Sequence, residues 1–140
     1  MRAIDTALYS VLAADVAGTA TGTLGQLGAT GVYRMVASQG SAEPYIVFNQ
    51  QAGTDSYTFS ARDSRSLLYQ IKAVGKGSSA LVPSQMSDRI DALLTDKSLG
   101  VSGWTQMRVR RESDVEYVEI ENGVQYHHLG GLYRVDVQPS

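Results

Sequence analysis

The feature that most constrains the fold is the dipeptide Asn122-Gly123, which lies between two strand-like runs. Asn-Gly favours the type I′ turn of a two-residue β-hairpin, because both central positions of that turn need a positive φ. The preceding run is Val115–Glu121, and the return strand is predicted to extend from Val124 towards Val137. An earlier strand, Trp104–Arg111, is predicted to turn through Glu112–Asp114 into the hairpin. The last third of the chain is therefore predicted to be an antiparallel β-meander.

Two segments have the apolar spacing of amphipathic helices. The first is predicted to end near Ala17 and to be followed by a loop over residues 18–31, with one helical turn near Leu24–Leu27. The second is predicted to begin at Ser78 or Ser79, which can act as N-cap, and to end before Gly100. The predicted buried stripes are Ile4, Leu8, Leu12 and Val16 in the first helix, and Val82, Met86, Ile90 and Leu93/Leu94 in the second.

The segment between these helices is predicted to contain short strands separated by polar loops. The strands are predicted at Val32–Val36, Tyr45–Phe48, Tyr57–Ser60 and Leu67–Val74, and the loops at Ala37–Glu43 and Gln50–Asp55. The order of elements predicts an α+β fold in a single domain, residues 1–140. An antiparallel, at most mixed, sheet of about four to five strands would pack against two helices, with a bulge or bend at Gly130-Gly131.

Composition narrows the classes of function. The 140 residues carry a formal charge of −2, whereas a nucleic-acid-binding protein normally has a basic surplus that displaces phosphate counterions. There is no cysteine, which excludes disulfides, thiolate metal ligands and cysteine nucleophiles. No run approaches the ~20 apolar residues of a membrane span, and the first residues do not resemble a signal peptide. We therefore expect neither membrane nor sequence-specific nucleic acid as a partner.

The histidine pair and the charged hairpin are the candidates for metal binding or acid–base catalysis. His127 and His128 are adjacent on a predicted strand, so their side chains are expected on opposite faces and unable to share a metal ion. One is expected to pack inward, the other to meet solvent or a neighbouring subunit. No phosphate-binding glycine motif is present. The sequence thus predicts no catalytic residue, no cofactor and no metal, although a small metal-dependent or acid–base enzyme remains a distant alternative.

Charge is segregated along the predicted hairpin arms. The acidic residues are expected on one arm, opposite the basic residues of the preceding arm, so that cross-strand pairs form on a solvated surface. The same segregation would let an acidic arm meet a basic arm of another copy. The acidic set is Asp114, Glu116, Glu119 and Glu121, and the basic set is Arg108, Arg110 and Arg111.

The chain as a whole resembles the tail-completion family of long-tailed bacteriophages and prophages, which includes tail terminators. The resemblance rests on the order and spacing of several segments across nearly the full length. They are Ile4–Asp15, Val32–Gly40, Pro44–Phe48, Leu68–Val74, Ile90–Leu94, Arg110–Glu112, Gly123–His128 and Tyr133–Val135.

The resemblance implies a structural virion protein that forms a ring, commonly a hexamer, at the head-proximal end of the tail. Such a ring caps the tail tube, ends its polymerisation and joins a head-side connector protein after assembly in the host cytoplasm. A head–tail connector (neck) or minor tail subunit is the alternative. Candidate residues for contact with other subunits or the tube are Arg108, Arg110, Arg111, Glu116, Glu119, Gln50, Gln51 and Asp55, together with the loop Ala37–Glu43.

Overall fold

The computed structural model describes residues 1–59 and 61–140, apart from the side chain of residue 107. In chain order the helices and strands form one α+β arrangement, which confirms the predicted fold class. The elements are α1 (Arg2–Val16), β1 (Val32–Arg34), β2 (Tyr45–Tyr57), β3 (Arg62–Lys76), α2 (Leu81–Leu94), β4 (Trp104–Glu121) and β5 (Val124–Pro139).

The five strands form one mixed sheet in the order β1-β2-β3-β5-β4. The short strand β1 runs parallel to β2, and every other neighbouring pair is antiparallel. β1 and β4 are therefore the two edges of the sheet among the described residues. They differ greatly in length, with 3 residues in β1 and 18 in β4.

Both helices cover the same face of the sheet. α1 packs over β1 at one edge, whereas α2 packs over β3, β5 and β4. The predicted stripes are buried where the helices meet this face, through Ile4, Leu8 and Leu12 of α1 and Met86, Ile90 and Leu94 of α2. Val82 departs from the prediction, since it is partly exposed and Pro83 is buried in its place. Removing this apolar surface from water, at roughly 25 cal/mol per Å², stabilises the two-layer arrangement.

A buried ion pair links the two helices to the glycine-rich loop. The Asp15 carboxylate of α1 accepts hydrogen bonds from Arg89 Nε at 3.0 Å and Arg89 Nη2 at 2.7 Å. It also accepts one from the backbone N–H of Leu24 at 2.8 Å. Chiefly through the Arg89 hydrogen bonds, the pKa of Asp15 is held below its usual value. Asp15 therefore anchors this loop, which has a weak apolar pattern, to α1 through the hydrogen bond from Leu24.

Three predicted loops or strands differ in the structure. Gln50–Asp55 was predicted as a loop but is part of β2, because all of these residues except Gln51, which falls at a register shift, pair with β3. Glu112–Asp114 was predicted as a turn but lies within the continuous strand β4, where Ser113 and Asp114 pair with β5 and Glu112 falls at a register shift. Of the predicted strand Tyr57–Ser60, Tyr57 ends β2, Thr58 and Phe59 lie in the following turn, and Ser60 lies outside the described residues.

The bulge predicted at Gly130-Gly131 is wrong in position. The ladder shifts register on β4, between Gln106 and Arg108 and again between Arg111 and Ser113, while β5 continues without interruption. The glycines serve close backbone approach instead. A Cβ on Gly130 would lie 2.0 Å from the carbonyl oxygen of Ile71 in β3, which no side chain could accommodate without moving the backbone.

The strongest sequence prediction is confirmed. Asn122 and Gly123 connect β4 to β5 with φ values of 52° and 77°, as the type I′ turn requires. The second helix was predicted to begin at Ser78 or Ser79 and begins one or two residues later, with Ala80 as N-cap. Ser79 still contributes, because its hydroxyl accepts a hydrogen bond from the backbone N–H of Leu81.

Candidate subunit interface

The predicted charged arms are one strand, not two. Arg108, Arg110, Arg111, Glu116 and Glu119 all lie on β4, so the basic and acidic groups cannot face each other across a hairpin. Their cross-strand neighbours are residues of β5. The predicted cross-arm pairing is therefore wrong, because Glu112–Asp114 continues the strand and does not reverse it.

Several of these charges are used within the subunit. Arg108 lies 3.6 Å from Asp136 of β5. Arg111 contacts Asp91 of α2 at 3.7 Å and Asp114 at 3.3 Å. These contacts tie the first part of β4 to its neighbours. In contrast, Arg110 and Glu116 are exposed, and neither has an ion-pair partner among the residues that the structure describes.

The three candidate interface residues from the predicted loop Gln50–Asp55 lie on strand β2. Gln50 faces α1, where its side chain accepts a hydrogen bond from the backbone nitrogen of Met1. Gln51 falls at a register shift of the ladder and is exposed. Asp55 pairs with Arg65 at 2.6 Å and with Arg62 at 3.5 Å. The structure does not bring this group together with the charged residues of β4.

Both histidines are buried within the subunit, so the expectation that one would meet solvent or a neighbour is wrong. His127 Nε2 lies 2.9 Å from the carbonyl oxygen of Gly77. The His128 ring stacks on Tyr117 with centroids 4.4 Å apart, and its Nε2 lies 3.2 Å from Glu119. Burial and then the nearby Lys72 ammonium hold the pKa of His128 below its usual value, against the opposing pull of Glu119.

No cluster of metal-binding side chains is present in the part of the chain that the structure describes. Within those same residues, neither helix is long and apolar enough to cross a membrane. Two exposed surfaces, at opposite edges of the sheet, stand out among the described residues.

The most prominent such surface is the far end of the β4–β5 hairpin. β4 has no strand on its outer side among the described residues, and an edge strand of 18 residues leaves a row of backbone N–H and C=O groups available for another chain. Val118 and Ile120 share one face of its end and are exposed at 49% and 71%. Tyr117 lies on the opposite face.

A second surface lies at the other edge of the sheet. An open groove of about 610 Å³ runs between the first turns of α1 and strands β1 and β2. Its lining combines apolar side chains with two guanidinium groups, and it consists of Met1, Arg2, Asp5, Thr6, Tyr9, Arg34 and Phe48. Arg34 Nε lies 2.8 Å from Asp5, whereas Arg2 has no ion-pair partner within the part of the chain that the structure describes.

Sequence reasoning placed Glu116 and Glu119 of the hairpin among the candidate interface residues, but it missed the exposed apolar side chains of the hairpin and the groove beside α1. Val118 and Ile120 were assigned to a strand without regard to which face the helices cover. Tyr9 was assigned to the first helix, but its position outside the buried stripe is the one signal that could have marked it as exposed. Tyr9 is in fact 51% exposed.

The chain matches the family described as Tail completion protein gp17 over residues 6–138. It belongs to this family. Members are structural proteins of phage tails, and the predicted resemblance is thereby confirmed. None of the curated proteins matches the chain in sequence.

Among solved structures, the chain is similar to one described as "Virion of native gene transfer agent (GTA) particle". The TM-score is 0.70 at 15% sequence identity, and the alignment covers 89% of this chain and 92% of the other. At that identity the similarity establishes the fold alone. The arrangement of helices and strands in this tail-completion protein is thus shared with a distant virion component along nearly its full length.

Proposed function

We propose that this protein forms a ring that caps the head-proximal end of a phage tail tube, ends tube polymerisation and presents the surface to which the head joins. Membership of the tail-completion family over residues 6–138 is the observation that carries the proposal. The proposed location is the virion tail, after assembly in the host cytoplasm.

The two edges of the sheet support self-association into a ring. β4 is long and open on its outer side, whereas the opposite edge ends in the α1 groove. Contacts between two different surfaces of identical copies are heterologous, and such contacts generate a ring when the rotation between neighbours closes. We propose six copies, the number that the family resemblance implies.

The proposed partners are other copies of the chain, the tail tube protein below the ring and the head-side connector protein above it. The proposed activity is assembly by surface contact, without catalysis or a cofactor. A cap of this kind terminates polymerisation because it binds the tube end but offers no further tube-like surface for the next ring.

The test is deletion of the gene from the phage or prophage that produces the particle. We expect overlong tail tubes that do not join heads, with normal tail length and joining restored by the wild-type gene supplied from a plasmid. Tail lengths are measured in negatively stained lysates. The same images show whether heads are filled and free.

Other outcomes assign the protein to a different role. Tails of normal length that fail to join heads would indicate a neck subunit and contradict the capping role. Absence of tubes would indicate a minor tail protein needed earlier in assembly. Infectious particles with normal tails would overturn a role in tail completion altogether.

A further inference from the structure

The end of the β4–β5 hairpin combines exposed apolar side chains with a single sign of charge. We refer to residues 116–125 as the hairpin tip. It contains three glutamates and neither lysine nor arginine, and every residue in it is exposed except the half-buried Val124. Glu116, Val118 and Ile120 lie on one face of the strand, because alternate residues share a face. This contact face is apolar at its centre and acidic at one end.

The groove at the opposite edge has the complementary character. We refer to the residues lining the 610 Å³ groove as the α1 groove. Its volume is within the range of about 300–1,000 Å³ found for sites that enclose small ligands, so it has room for two aliphatic side chains. Tyr9 is exposed in its wall and Met35, which follows the groove residue Arg34, is 60% exposed beside it. Arg2 supplies a positive charge to its lining.

The placement of these surfaces restricts how they can meet. The hairpin tip extends from the β4 edge, and the α1 groove lies beside β1, at the other edge of the same sheet. The two surfaces of a single copy are separated by the width of the sheet. A second copy translated and rotated past the β4 edge can present its groove to the tip, and the same contact can then repeat.

We infer that the hairpin tip of one copy docks into the α1 groove of the next. Val118 and Ile120 fill the groove against Tyr9 and Met35, while Glu116 approaches Arg2. The inference rests on the proposed ring and names the contact that builds it. The occupant is another copy of this chain, because the charges of the tip and groove are opposite and their positions suit a repeating head-to-tail contact.

The first experiment compares the native mass of two variants by sedimentation across a concentration series. Ile120→Asp places a charge at the centre of the contact, and we expect association at least about tenfold weaker than wild type. The matched control is Phe59→Asp, which alters a fully exposed aromatic residue outside both surfaces. We expect its association to equal that of the wild type.

The second experiment tests the partners of the contact by charge reversal. Glu116→Arg and Arg2→Glu are each expected to weaken association by about tenfold at low salt. The double variant is expected to return to within about threefold of wild type, because the reversed pair attracts again. A mixture of Ile120→Asp with Arg2→Glu should form dimers only, since the first supplies an intact groove and the second an intact tip.

Each outcome bears on one claim. Wild-type oligomers that withstand Ile120→Asp and both charge reversals would overturn the contact and leave the ring proposal intact. If the wild-type chain stays monomeric at every concentration, the inferred contact does not drive association in solution, and the inference is overturned. The tail-length experiment decides the capping role independently of either result.

Discussion

The two halves of the β4–β5 hairpin are paired along their length, with register shifts on β4, but they differ in side-chain burial. In the half near Val109 and Val135 the strands lie beneath α2, both valines are fully buried, and Arg111 pairs with Asp91 of that helix. In the hairpin tip Val118 and Ile120 are exposed. Backbone pairing thus extends along the whole hairpin, whereas side-chain burial stabilises the half near Val109 and Val135 and contributes little at residues 116–123. The tip is left available for contact with another molecule.

The largest difference in the free energy of unfolding is expected between substitutions at two valines of this hairpin. Val135→Asp places a carboxylate in the core, and we expect a loss of about 4 kcal/mol or more in the free energy of unfolding. Val118→Asp, at an exposed position, should change it by no more than about 0.5 kcal/mol. Urea unfolding at dilute protein concentration measures both. Equal losses would contradict the division of the hairpin into a buried half and a free tip.

Two glycines provide the next contrast. Gly130→Ala would place a Cβ against the β3 backbone, and we expect a loss of roughly 2–3 kcal/mol as the strands shift. Gly123→Ala meets open space but retains a φ of 77°, so the expected loss is about 1 kcal/mol. Thermal unfolding of the two variants shows which substitution lowers the stability more. A larger effect at Gly123 would show that the turn, and not the β3–β5 approach, limits the stability of the hairpin.

Neighbouring arginines on β4 test the role of internal ion pairs. Arg111→Ala removes contacts to Asp91 and Asp114, and we expect a loss of about 0.5–1 kcal/mol, which is modest because the pairs are partly exposed. Arg110→Ala should leave the free energy of unfolding within about 0.5 kcal/mol of wild type. Chemical denaturation of both variants at low and high salt checks this, since only the Arg111 effect should shrink as salt is added.

The smallest expected effect is a pH dependence at the boundary between the two halves. Because the pKa of His128 is lowered in the folded state, the unfolded chain takes up the proton first as pH falls. Stability from this group is present above its unfolded pKa of about 6.5 and declines as pH falls below that value. We expect a lower urea midpoint at pH 5 than at pH 7.

His128→Gln serves as the matched variant, since it cannot take up that proton. Its urea midpoint should fall less between pH 7 and pH 5 than that of the wild type. The lowered pKa of Asp15 does not interfere, because that carboxyl group titrates below its usual value near 3.8. An unchanged pH response in His128→Gln would show that another group controls stability in this range.

Local signals in the sequence predict the parts of the fold that depend on local chemistry. The Asn122-Gly123 turn and the two apolar helix stripes are examples, because turn geometry and helical spacing are properties of a few consecutive residues. The positions of the register shifts on β4 are not local properties of this kind. Near the shift between Arg111 and Ser113, Gly130 lies against the backbone of β3 and Gly131 lies against β4, so the arrangement involves three strands distant in sequence.

Polar strand segments were missed for the same reason. Glu112–Asp114 and Gln50–Asp55 have the composition of turns or loops, yet each is held in a ladder by a long neighbouring strand. Tertiary pairing overrides local preference there. The candidate interface was predicted only as far as the charged strand. Exposure of Ile120 or Tyr9 depends on where the helices stop, which the sequence pattern does not specify.

Electron cryomicroscopy of the native particle tests the central claim most directly. We expect a closed ring of this protein at the head-proximal end of the tail tube, with residues 116–125 of each copy seated against α1 of its neighbour. A chain found elsewhere in the particle would contradict the capping role. A ring at the tube end whose hairpin tips point into solvent would contradict the proposed contact.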